Sequence, residues 1–105
     1  MAVVAKNLQP GITLAASAAP IVTAGAGTTV ITNAVVANPT ATAISLTIQI
    51  QRSGGSALDI VPPRAVQAAG TDLVPELTGR ALGDGDVVLA TGAGLVCVVD
   101  GYGLS

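Results

Sequence analysis

Ala43-Ile-Ser-Leu-Thr-Ile-Gln-Ile-Gln-Arg52 alternates without a break, with Ile44, Leu46, Ile48 and Ile50 on one side and Ser45, Thr47, Gln49 and Gln51 on the other. A period of two belongs to a β-strand, and this split marks one apolar, buried face and one neutral polar face. Just upstream, Thr28-Thr-Val-Ile-Thr-Asn-Ala-Val-Val-Ala37 is rich in β-branched residues and reads as a second strand. Asn38, Pro39 and Thr40 supply turn residues between the two, so the segments are expected to pair as a hairpin.

Working outward, residues 11–16 and 21–24 read as short strands, parted by Pro20 and ended by Gly25-Ala-Gly27. Ser53-Gly-Gly-Ser56 reads as a hairpin turn into a strand over residues 57–61, which Pro62 and Pro63 should stop because neither can donate to a ladder. Residues 65–69 suggest a helical turn, and residues 73–77 a strand broken at Pro75. Gly83-Asp-Gly-Asp86 turns the chain into a strand over residues 87–90, and Thr91-Gly-Ala-Gly94 turns it into another over residues 95–99. No long amphipathic helix and no internal repeat is visible. The pattern predicts an all-β protein, a small antiparallel β-sandwich or jelly-roll-like barrel of about seven to eight short strands. One domain is expected over residues 11–105, with residues 1–10 as an N-terminal arm.

Composition narrows the chemistry. The 105 residues are 50% hydrophobic but only 1% aromatic, with a single Tyr and neither Phe nor Trp. Charged residues make up 10%, against roughly 25% in an average soluble domain. There is no His, and Cys97 is the only cysteine. Histidine chemistry and an intrachain disulfide are therefore excluded, and a zinc cage lacks its soft ligands. Four Lys and Arg scattered along the chain cannot neutralise a row of phosphates, so no nucleic-acid partner is expected. A mean hydropathy of +0.73 raises the question of a membrane span. Prolines and asparagines interrupt the charge-free run from Asn7 to Gln51, and no stretch of about 20 apolar residues survives. With Lys6 after the first apolar residues, the order of a signal peptide is also missing. The expectation is a soluble, non-secreted chain with no membrane partner.

Candidate chemistry is sparse. Gly25-Ala-Gly-Thr-Thr29 has glycines for a phosphate loop but neither the following helix nor the lysine, and reads as a turn before a strand. Asp84, Asp86 and Asp100 have carboxylates for Ca²⁺ but not the spacing of a calcium loop, and Gly-Asp-Gly-Asp is ordinary turn chemistry. Cys97 lies in Leu95-Val-Cys-Val-Val99 without a nearby cation and reads as a core residue. Serine nucleophiles lack a base. No enzyme, cofactor or metal is expected.

The core of small aliphatic residues should be marginal alone. The charge-free first half presents Thr, Ser, Gln and Ala where a monomer normally places charges, a face cheap to desolvate. Homo-oligomeric packing is expected, with Val35, Thr47 and Gln49 as candidate contacts.

Two stretches carry a resemblance. Pro20-Ile-Val-Thr-Ala-Gly-Ala-Gly-Thr-Thr-Val-Ile-Thr-Asn-Ala-Val-Val-Ala-Asn38, with the alternating strand to Arg52, resembles small β-sandwich virion proteins of tailed bacteriophages. Leu82-Gly-Asp-Gly-Asp-Val-Val-Leu89 is similar to the acidic turn before the closing hairpin of the same group. Residues 62–80 match nothing in that pattern. The resemblance implies a capsid decoration or cement protein, often trimeric, bound to the major capsid protein on the outside of the virion. Its arm would reach neighbouring subunits through Val3, Val4 and Leu8. Alternatives are a neck, tail or fibre-associated component, and a receptor- or carbohydrate-binding module. Tyr102 is the only aromatic for the last of these.

Overall fold

The computed structural model describes residues 3–104. Its strands are β1 (Val3–Thr13), β2 (Ala19–Thr23), β3 (Thr28–Ala37), β4 (Ile44–Gln51), β5 (Ala57–Val66), β6 (Thr71–Asp72), β7 (Ala81–Leu82), β8 (Val87–Thr91) and β9 (Val96–Leu104). They form two antiparallel sheets. Sheet I has the order β1-β9-β3-β6, with β7 also pairing β3, and sheet II has the order β2-β8-β4-β5.

The connectivity is that of a folded-over hairpin. β1 pairs β9, β2 pairs β8, β3 pairs the two short pieces β6 and β7, and β4 pairs β5. Successive pairs alternate between the sheets, and β9 and β8 add lateral ladders to β3 and β4. Counting β6 and β7 as one interrupted strand, this is the jelly-roll order.

The core between the sheets is aliphatic. Ile31, Leu46, Ile48, Leu77, Leu82 and Leu95 are its largest fully buried side chains. The alternation in β4 is realised as read, with Leu46, Ile48 and Ile50 buried.

Several expectations change. β3 and β4 are not a hairpin but lie in different sheets; residues 38–43 form the crossing, and Asn38 turns inward to support it. β5 does not stop at Pro62 and Pro63 but runs to Val66. It is the edge strand of sheet II, and its pairing with β4 shifts register between Ile48↔Val61 and Leu46↔Arg64, so the two prolines sit where the ladder is already interrupted. The helical turn expected at 65–69 is strand to Val66 and then a tight turn closed by Gly70 N donating to Gln67 O. Residues 73–77, expected as a strand, are instead loop at 73–74 and the start of a turn over 75–79, which tucks Val74 and Leu77 into the core. Residues 3–10, set apart as an arm, are the first part of β1 and pair with β9 from Val3↔Leu104 onward. Residues 1 and 2 of that arm lie outside the described residues.

Candidate functional site

The charged groups mostly hold loops. At one end of the sandwich Asp86, 6% exposed, accepts hydrogen bonds from Arg52 Nη1 at 2.7 Å, Ser53 N at 2.9 Å and Gly83 N at 2.9 Å. Its own backbone carbonyl accepts from Ala24 N at 2.9 Å. The β2–β3, β4–β5 and β7–β8 connections thus meet at one residue. The Arg52 guanidinium, followed by the two backbone N–H groups, holds the Asp86 carboxyl below the usual aspartate range. This is a loop anchor: every oxygen it offers is already engaged within the fold.

Asn38 has the matching task at the other end. Its amide donates to Thr42 O at 2.8 Å and Val66 O at 2.9 Å, and its Oδ1 accepts from Thr40 N and Thr40 Oγ1. On one flank Arg64 of β5 forks onto both oxygens of Asp72 and both of Glu76, at 2.7–3.1 Å, joining the edge of sheet II to that of sheet I. Asp72 Oδ1 also accepts from Val74 N, fixing that residue at a φ of 42°. Cys97 is fully buried, and burial pushes its thiol up to about 11, the direction opposite to a reactive thiolate. No group of three or more His, Cys, Asp or Glu side chains is placed to hold a metal ion among the described residues. Among those residues no helix is long and apolar enough to cross a membrane.

What remains are the two outer sheet faces, and they differ. On sheet II, β4 turns out Ser45, Thr47, Gln49 and Gln51, with Gln49 Nε2 donating to Asp59 Oδ1 at 2.8 Å. Leu89 and Val87 of β8 lie beside Gln49 and Gln51. On sheet I the central strand β9 alternates buried Cys97 and Val99 with outward, half-exposed Val96, Val98, Asp100 and Tyr102. Val98 is registered with Val35 of β3, Val96 with Ala37, and Tyr102 with Val30. This face carries an aliphatic patch of Val96, Val98, Val35 and Ala37, with the polar row of Asp100 and the ring of Tyr102 beside it.

The six candidate contacts are therefore divided among separate places. Val35 lies on the outer face of sheet I, and Thr47 and Gln49 on that of sheet II. Val3 pairs with Leu104 at the start of β1. Val4, 52% exposed, lines a shallow groove of about 160 Å³ with Lys6, Thr29 and Leu104, beside Gly25 and Ala26 of the β2–β3 connection. Leu8 is partly buried and packs against the core, next to Gly101. A methyl group at Gly101 would overlap the Val30 carbonyl oxygen, so Leu8 fills the space that the glycine leaves. Its position is that of a core-flanking side chain.

Sequence reasoning missed Val96, Val98 and Val30, and named Tyr102 only as the aromatic of a carbohydrate-binding alternative. The available signal was the lack of alternation in Val96-Cys-Val-Val99, a pattern of strands covered on both faces. No protein-family model, curated protein or solved structure matches the chain.

Proposed function

We propose that the chain is a non-enzymatic structural subunit of a virion, a decoration or cement protein that binds the outside of a phage capsid and stabilises contacts between shell subunits. The observation that carries this reading is the aliphatic outer face of sheet I. A patch in which Val96 and Val98 of β9 meet Ala37 and Val35 of β3 on an outer sheet face is suited to permanent packing. The jelly-roll order agrees but is shared by capsid, lectin and cupin domains. The resemblance of residues 20–52 and 82–89 to virion proteins supplies the particular setting.

The mechanism is physical. Loops anchored by Asp86 and Asn38 keep a flat sandwich whose faces present few charges to be desolvated. Repeated over many copies on one particle, modest contacts sum through multivalency and hold the shell together.

The test is copy number in purified phage particles, by quantitative mass spectrometry against the major shell protein. A number comparable to that of the shell protein is expected. A small ring's worth would move the chain to the neck or tail and overturn the decoration reading, and absence from the particle would overturn the virion reading altogether.

A further inference from the structure

We propose that the outer face of sheet I is the surface through which two copies of this chain pair about a two-fold axis. This deepens the reading above, on whose view of the sheet I face as built for permanent packing it rests, by naming what packs there.

Edge-to-edge association is obstructed. Along β1 the ladder to β9 shifts register between Asn7 and Gln9 and again between Gln9 and Ile12, with Pro10 inside the second shift. β5 carries Pro62 and Pro63, and β6 and β7 are two residues each. Gln9 Nε2 donates to Ile21 O of edge strand β2 at 3.3 Å. Prolines, bulges, short strands and covered carbonyls are the devices that prevent strand addition. Association then has to use a face.

Of the two faces, sheet II sets Val87 and Leu89 of β8 beside the amides of β4, Gln51 and Gln49, whereas on sheet I apolar residues of neighbouring strands face each other, Val98 beside Val35, Val96 beside Ala37 and Tyr102 beside Val30. The one charge in the central strand of sheet I is Asp100, and its register partners are Asn7 on β1 and Asn33 on β3. This polar row is complementary to itself. A carboxylate only accepts hydrogen bonds, while each amide brings two donors. When a second copy is laid across the face, Asp100 can meet an amide of the other row instead of being buried unpaired. The row's one charge is a carboxylate with neutral amides as its register partners, a pattern that an identical row can match. The size also suffices. The molecule measures 45 × 27 × 18 Å, and a standard interface takes about 800 Å² from each partner, roughly two-thirds of its broad face.

The experiment is sedimentation equilibrium on the whole chain, with circular dichroism confirming the fold of each variant. Wild type should be a dimer at roughly 100 μM. Val98→Asp places a charge in the aliphatic part of the face and should give monomers. Because that strand is central, the exposed Asn33→Asp serves as the second variant. It sets a like charge beside Asp100 and should raise the dissociation constant at least about tenfold. Thr47→Lys, on the opposite face, should leave the dimer unchanged. A wild-type monomer, a wild-type trimer, or Thr47→Lys dissociating the dimer as strongly as Asn33→Asp would each overturn the pairing. A monomer abundant in particles would remove this pairing and leave the proposed function standing; a dimer absent from particles would do the reverse.

Discussion

Asp86 shows how much one side chain carries in a fold with so few charges. It joins Arg52, Ser53 N and Gly83 N while its backbone ties in Ala24. Its carboxyl is depressed below the ordinary value of 3.8, so the folded state binds the proton less readily than the unfolded chain. The stabilisation is therefore fully present above the unfolded value and is lost as pH falls through the folded one. The expected outcome is a melting temperature that declines below about pH 4, with Asp86→Asn melting lower than wild type at about pH 6 and the two curves drawing together as the pH falls further. Scanning calorimetry across that range checks it. Parallel curves would show that the charge of Asp86 contributes nothing to the anchor.

At the scale of elements, β1 makes the sharpest distinction. An arm can be removed at no cost to the fold, whereas β1 supplies the ladder from Val3↔Leu104 to Thr13↔Val96 and the Leu8 side chain against the core. Deleting residues 1–10 would expose the edge of β9 and leave the space beside Gly101 unfilled. Losing a buried leucine alone costs about 2–5 kcal/mol, so a partly buried one with its ladder should cost at least about 2 kcal/mol. Urea unfolding of the shortened chain measures this, and an unchanged midpoint would make the segment an arm after all. The same elements show what could be read from the sequence. β4 was legible because one face is apolar and the other polar, so period and burial coincide. The extent of β3 was legible from its β-branched residues, but its partner was not. Asn38-Pro-Thr40 reads as a local turn, while the jelly roll uses it to cross between sheets, a choice set by long-range pairing with β9. Pro62 and Pro63 stopped the reading of β5 because their tolerance depends on lying at an edge, which only the assembled sheet defines. The face of sheet I was hidden for a related reason. Val96 and Val98 look like more core until the pleat sends Cys97 and Val99 inward, and Asn7 and Asn33 reach Asp100 only through pairings distant in sequence.

For the whole molecule, the decisive quantity is how little charge it has: a formal net charge of -2 from only four basic and six acidic residues. Two of the basic residues, Arg52 and Arg64, are paired within the molecule with Asp86, Asp72 and Glu76, so few charges are left to steer association. Salt screens exposed ion pairs but scarcely touches contact between valines, and sulfate strengthens apolar burial by being excluded from the surface. If the copies meet through Val35, Val98 and the amide row, the dissociation constant should change by less than about threefold between roughly 50 mM and 500 mM NaCl. Replacing chloride with sulfate at equal ionic strength should tighten the dimer. Sedimentation equilibrium in the two salts reads both effects. Dissociation that rises steeply with NaCl would mean that ion pairs hold the copies together, and the exposed charges, such as Lys6 and Asp84, would then have to supply the contact in place of the sheet face. Insensitivity to NaCl combined with tightening in sulfate is the behaviour that follows from an aliphatic face whose single carboxylate is met by neutral amides.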